Sequence, residues 1–396
     1  MASQASSGMG SGSAGRPRVF YVSYDGMGEP LGRSQVLAYL FRLASDYDIT
    51  LFSFEKPGAD RDALASELRD RGIRWRPLSY HKRPPVISTL LDASRGCFAI
   101  VREARRQRPD VVHVRSYVPA LMALWARRWT TDNLLFDIRG FWVDERVEGG
   151  IWPADRLPYR LLYRVGKWCE SRFFQRAAAV VTLTHASVAW IRNRVHRTGL
   201  DVTVIPTCVD LDRFSMTEPR DDGPTLTWCG SIGTWYRFDL VPALIKSTGL
   251  PLEVITRQPD IARDILGSLP ANIRSLEPEK VPLALHAGDV GLSLCVGTFS
   301  KTASAPTRFA EYLAAGMPVL VNPGIGDLVA IVEQHRVGVV LRGEDAASAA
   351  SAARELAELL LDEALSDRCR AVARELFDVE QGSRSYAAIY QRLLSN

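Results

Sequence analysis

Apolar residues along this chain fall into short β-branched and aromatic runs, separated by longer stretches in which they recur every three or four positions. That is the pattern of strands alternating with amphipathic helices. The first run, residues 18–24, feeds a polar glycine-containing segment, DGMGEPLGRSQ, from Asp25 to Gln35. A helix with Val36, Leu37, Leu40 and Leu43 on one face follows. Strands predicted at 49–54, 110–115, 133–138 and 178–183, with helices at 60–71 and 91–107, continue the alternation until a handover near 202–206. The pattern restarts after the Asp-, Pro- and Gly-rich stretch 216–224, which reads as a linker. Strands are predicted at 226–229, 252–256, 290–294 and 319–322, with a helix at 238–247 and an alanine- and leucine-rich helical tail from Asp345. Such βα repetition calls for parallel sheets wrapped by helices, an α/β class in which ligands bind between domains.

With 396 residues the chain exceeds one ordinary core, so two domains are expected. The boundaries read as a tail at 1–16, a first domain at 17–206, a linker at 207–224 and a second domain at 225–396. Serine, glycine and alanine dominate residues 1–15, which lack the basic start and apolar centre of a signal peptide and are expected to be disordered. No run of about 18 apolar residues exists to span a membrane, so the expected location is cytoplasmic. The six cysteines show no C-x-x-C pair, which argues against a zinc site or a disulfide scaffold. Three D-x-D triplets, at Asp46/Asp48, Asp60/Asp62 and Asp210/Asp212, read as solvated loop or strand ends, so no metal is expected.

Charge changes this picture. The first 200 residues carry a net +12 and the remainder a net −8, which together give the +4 of the whole chain. A basic first half suggests an anionic partner. The stretches Trp125 to Trp129 and Arg164 to Arg176 set cations beside aromatic rings, so the expected partner is an anionic membrane surface, on its inner face, rather than a nucleic acid.

The densest chemistry lies in SAPTRFAEYLAAGMPVLV, from Ser304 to Val321. Pro306 and Thr307 are set to start a helix and Gly316 to end it, with Pro318 blocking continuation. Its start offers unpaired N–H groups and a positive dipole end to an anion, Arg308 adds a full charge, and Glu311 sits one turn inside. This segment resembles the donor-sugar motif of the group 1, or family 4, retaining glycosyltransferases. Three further stretches resemble the family in the same order: VIPTCVDLDRF from Val204, WCGSIGTWYR from Trp228 and LHAGDVGLSL from Leu285. The resemblance implies the GT-B fold, two Rossmann-like domains facing across a cleft. It also implies metal-independent transfer of a hexose-type sugar, with retention, from a nucleoside diphosphate donor, UDP or GDP, to a glycan or lipid-linked acceptor.

Carried onto this chain, the resemblance assigns donor binding to Gly28, Gly230, Ser231, Arg257, Lys301, Ser304, Pro306, Thr307 and Arg308. Glu311 and Arg237 fall to catalysis, with Arg237 standing in for a missing lysine. The segment FDIRGFWVDE, from Phe136 to Glu145, matches a D-x-R-G variant at the acceptor face. It places Asp137 and Arg139 in the catalytic set and Glu145, with Asp25, Gly32 and Arg33, on the acceptor. The alternative for Asp137 and Arg139 is an internal salt bridge. The chain departs from the family pattern at Ala303, where the first of two glutamates is expected, and at Ser231, where an arginine is. These departures keep open a nucleotide-sugar-binding protein without transferase activity. The G-x-G-x-x-x-G spacing at Gly26, Gly28 and Gly32, with Glu55 as a ribose-binding acid, leaves an NAD-dependent dehydrogenase as the weaker enzyme alternative.

Overall fold

A computed structural model describes residues 15–58, 60–84, 86–195, 199–214 and 223–395. The expected disordered tail, apart from its last residues, and the middle of the expected linker, residues 215–222, lie outside them. The chain forms two sheets. The first contains β1 (Arg18–Ser23), β2 (Asp48–Glu55), β3 (Arg74–Ser79), β4 (Val111–Arg115), β5 (Leu134–Asp137), β6 (Ala179–Thr182) and β7 (Asp201–Val204), in the order β3-β2-β1-β4-β5-β6-β7. The second contains β8 (Leu226–Cys229), β9 (Leu252–Ile255), β10 (Ala271–Arg274), β11 (Val290–Ser293), β12 (Val319–Val321) and β13 (Gly338–Val340), in the order β10-β9-β8-β11-β12-β13. Every pairing between these strands is parallel. The strand order reverses between β1 and β4 in one sheet and between β8 and β11 in the other, and a crevice opens beyond the carboxyl ends of strands at such points.

Both faces of each sheet are covered. Along β1, Phe20 and Val22 enter one core and Val19 and Tyr21 the other, as the two-residue period of a strand requires. The central strands stand where the apolar runs placed them. The four strands not predicted as such, β3, β7, β10 and β13, are the four sheet edges. An edge is exposed along one side, so it tolerates the Arg74, Arg76 and Pro77 of β3 and presents no continuous apolar run.

The expected second domain, 225–396, needs one correction. The last helix, Val379–Ser395, crosses back and buries Tyr386, Ile389, Tyr390 and Leu393 against Val19, Tyr21 and Leu40 of the first domain. Tyr386 donates to the Asp137 carboxylate at 2.9 Å, and the Tyr390 hydroxyl meets His113 Nδ1 at 2.7 Å. At the crossing, Val209 and Val379 form a parallel bridge, with Val209 N–H donating to Phe377 at 2.8 Å and Val379 N–H to Val209 at 3.1 Å. Among the described residues no helix is long and apolar enough to cross a membrane.

Candidate functional site

The second domain builds its wall of the cleft from two backbone devices. Beyond β8 the chain passes through Gly230, at φ 147°, with nothing within 4 Å of the place a Cβ would occupy, so the backbone is open to close approach. Opposite, the helix Thr307–Ala314 starts at Pro306 in extended conformation, with no side chain capping its first turn. The Thr307 and Arg308 N–H groups therefore remain available to an anion, with the helix dipole behind them, while Phe309 N–H donates back to the Pro306 carbonyl at 3.1 Å. The helix ends as the sequence requires: Gly316 takes φ 81°, Gly316 N–H donates to Leu313 at 3.0 Å and Met317 N–H to Tyr312 at 2.9 Å.

A residue missed in the sequence joins the two devices. Tyr312 is fully buried, lies against Gly291, and accepts a 2.8 Å hydrogen bond from Cys229 N–H, the residue before Gly230. The hydroxyl thus fixes the glycine loop relative to the helix start. The large tyrosine facing a glycine in β11 was the available signal. Replacing Tyr312 with phenylalanine is expected to leave the Cys229 N–H unsatisfied and to cost about 1–3 kcal/mol, read as a fall in the urea midpoint.

Between the walls lies a cleft of about 1040 Å³. Gly28 and Arg33 line it from the first domain, and Gly230, Ser231, Arg257, Pro306, Thr307, Arg308 and Glu311 from the second. Arg308 and Glu311 form an ion pair one turn apart. Burial opposes the charge on Arg308, but Glu311 outweighs it and the pKa rises, so the guanidinium stays charged. Arg257 is exposed on the cleft wall, and among the described residues no ion pair or hydrogen bond engages it. Arg33 is paired with Glu67.

Other expected site residues stand elsewhere. Arg237 is committed to Asp239 and Glu344 and does not line the cleft, because the chain turns between Gly233 and Tyr236 and points it toward acidic partners. Asp137 and Arg139 lie at the carboxyl end of β5, almost fully buried, 3.8 Å apart. Burial alone would raise the Asp137 pKa, but Arg139, His113 and Arg115 together hold it below the ordinary carboxylate value. Arg139, at φ 54°, also donates to Gln35 at 3.3 Å, and Gln35 donates to the Cys208 carbonyl at 2.9 Å, so this pair braces the crossing between domains. The internal salt bridge is therefore what the structure contains. Asp25 accepts from Arg115 at 2.8 Å. Gly32 is a packing glycine: a Cβ there would stand 2.1 Å from the Gly26 carbonyl. Ser304 N–H donates to the Lys301 carbonyl at 3.0 Å, and the residue does not line the cleft.

Lys301 and Glu145 meet each other across the domain boundary. The Lys301 ammonium lies 2.6 Å from Glu145 Oε1 and 3.8 Å from the centre of the Trp235 ring. Beside them Ser300 N–H donates to Glu148 at 3.0 Å, and Phe299 stacks on Phe141 at 5.1 Å and contacts Trp190 at 5.5 Å. Asp327 accepts from His185 N–H at 2.6 Å and Ala186 N–H at 2.9 Å. These contacts clasp the two domains beside the cleft.

Glu55 has a task incompatible with holding a ribose. It is 1% exposed and accepts from Met27 N–H at 2.9 Å, Gly28 N–H at 3.4 Å and Ser53 Oγ at 2.6 Å. The carboxylate braces the glycine loop from beneath, which removes the feature that suggested a dehydrogenase. Among the described residues no group of three or more His, Cys, Asp or Glu side chains gathers to hold a metal.

The sequence pattern of Glycosyltransferase Family 4 matches residues 35–213. No curated protein sequence matches the chain. Similar solved structures cover nearly its whole length. Sucrose-phosphate synthase from Thermosynechococcus elongatus superposes with a TM-score of 0.74 at 15% identity, covering 96% of this chain and 100% of its own. Alr3699/HepE of Anabaena, in complex with UDP-glucose, gives 0.65 at 14% identity, covering 96% and 100%. WaaG, a glycosyltransferase involved in lipopolysaccharide biosynthesis, gives 0.65 at 15% identity, covering 94% and 99%. The two parallel-sheet domains are those of the GT-B fold.

Proposed function

We infer that this chain, which belongs to Glycosyltransferase Family 4 by residues 35–213 and has the GT-B fold, transfers a sugar from a nucleoside diphosphate to an acceptor held by its first domain. The observation that carries the reading is the uncapped start of the helix Thr307–Ala314, which shares one cleft with the open Gly230 loop, Arg257 and Arg308. Two arginines, a helix dipole and free N–H groups suit a diphosphate, and such a site is electrostatically complementary to the charge that develops as the leaving group departs. UDP is the favoured carrier, supported by the UDP and UDP-glucose complexes of the Anabaena relative.

In the proposed reaction the anomeric C–O bond breaks with its electron pair passing to the β-phosphate oxygen. The acceptor hydroxyl attacks the same face, so configuration is retained, and its proton passes to the departing diphosphate. No protein nucleophile is required, in keeping with Ala303 at the position of the missing carboxylate. Glu311 holds sugar or ribose hydroxyls and orients Arg308. The charge is supplied by Arg308, Arg257 and the helix start, without a metal. The acceptor is a glycan intermediate carried on a lipid or at the cell surface.

Binding and turnover are separated by one pair of assays. UDP, GDP and ADP are compared for thermal stabilisation, where a ligand at 100 times its Kd contributes about 2.7 kcal/mol. UDP release from UDP-glucose then reports turnover. Stabilisation by UDP together with UDP release is the expected outcome. Binding without release, with any acceptor offered, leaves a nucleotide-sugar-binding protein.

A further inference from the structure

We propose that the outer face of the first domain docks on an anionic lipid bilayer through three adjacent helices. The helices Ile87–Ala104, Tyr117–Ala126 and Leu157–Arg176 cover the same face of the first sheet, where their inner residues share one core. Each leaves apolar side chains outward. On the first helix these are Ile87 (58% exposed), Leu90, Leu91 and Phe98 (70%). On the last they are Leu157 (74%), Leu161 (64%), Val165 and Trp168 (58%), at three- and four-residue spacing along one stripe. Trp125 and Trp129, at the end of the middle helix, are also exposed. Within the basic stretch read from sequence, Phe173 and Phe174 belong to the core, and Trp168 is the ring that faces out.

The charge that these three helices expose has one sign. The only acidic residues of the three helices, Asp92, Glu103 and Glu170, are buried. Arg95, Arg102, Arg160, Arg164, Arg172 and Arg176 are exposed, with Arg127 and Arg128 following the middle helix. The Arg172 guanidinium lies 5.2 Å from the Trp168 ring centre. A groove between β3 and the first helix joins the two chemistries, with Arg95, Arg102 and Arg106 beside Leu91 and Phe98. Apolar rows flanked by arginine match a bilayer interface, where acyl chains take the former and lipid phosphates the latter. A second copy of the chain would bring arginines against arginines. In βα units these helices run back from the carboxyl ends of the strands, so Ile87 and Leu157 lie toward the crevice side of the sheet. Docking would hold that side of the first domain near the lipid surface.

The test is co-sedimentation of the full chain with vesicles of phosphatidylcholine, and of phosphatidylcholine mixed with phosphatidylglycerol in equal parts. Binding to the mixed vesicles alone, reversed at about 1 M salt where the Debye length is about 3 Å, is expected. Arg160→Glu with Arg164→Glu should lower the partition by about tenfold or more. Leu161→Glu with Trp168→Glu should lower it as well, and all four positions are exposed, so the fold is kept. UDP binding serves as the control and should be unchanged in both variants, which separates this proposal from the transferase reading. No binding, equal binding to neutral vesicles, or variants that bind as the parent does would overturn it. So would self-association or nucleic-acid binding that the same variants abolish while vesicle binding is absent.

Discussion

Replacing Glu311 with glutamine is expected to leave the protein folded and to lower sugar transfer from UDP-glucose by about 100-fold or more, the scale seen when one preorganised polar group is removed from a reacting site. The helix that carries Glu311 is secured without it: Phe309, Tyr312 and Leu313 are buried, and Gly316 ends it in a hydrogen-bonded turn. The carboxylate instead faces the cleft and pairs with Arg308. Glutamine keeps the shape and removes the charge, so Arg308 loses its anchor and the sugar or ribose hydroxyls lose their strongest acceptor. The measurement is kcat and KM for UDP-glucose, with the thermal midpoint as the folding control. Near-normal turnover would remove Glu311 from the mechanism.

Replacing Arg308 with alanine is expected to weaken UDP binding by about 1.5–3 kcal/mol, or roughly 10- to 150-fold, while uridine binds almost as before. The contrast follows from position: Arg308 stands in the first turn of the helix whose N–H groups face the cleft, where only the phosphates gain from a cation. Arg308→Lys should recover part of the loss, since it keeps the charge but not the planar fork. Arg237→Ala should change UDP affinity little, because Arg237 is engaged by Asp239 and Glu344 outside the cleft. Equal losses for UDP and uridine in the Arg308 variants would mean that the residue acts through structure.

The sequence showed most clearly what depends on local chemistry. A buried central strand must be apolar on both faces, so β1, β8 and β12 stood out, whereas edge strands such as β3 are free to carry arginine and proline. The helix at Thr307 was legible because its start, its stop and the following strand are each set by residue type. What escaped depends on partners distant along the chain. The stripe of Tyr386, Ile389, Tyr390 and Leu393 announces a helix but not which domain it covers. Arg237 lies at a plausible distance after Gly230, yet Glu344, more than a hundred residues away, decides its direction. Asp137 and Arg139 were conspicuous as charges in an apolar stretch, but a charge pair bracing the domain crossing and one binding an acceptor look alike in sequence.

The central claim is that this cleft holds a nucleoside diphosphate between the Gly230 loop and the start of the Thr307 helix. Calorimetric titration of UDP into the protein and its Arg308→Ala variant tests it most directly. Saturable binding at one site, weakened in the variant and absent for inorganic phosphate at the same concentration, is the expected result. Failure of UDP, GDP and ADP alike to bind the parent protein, or UDP binding that Arg308→Ala leaves unchanged, would contradict it.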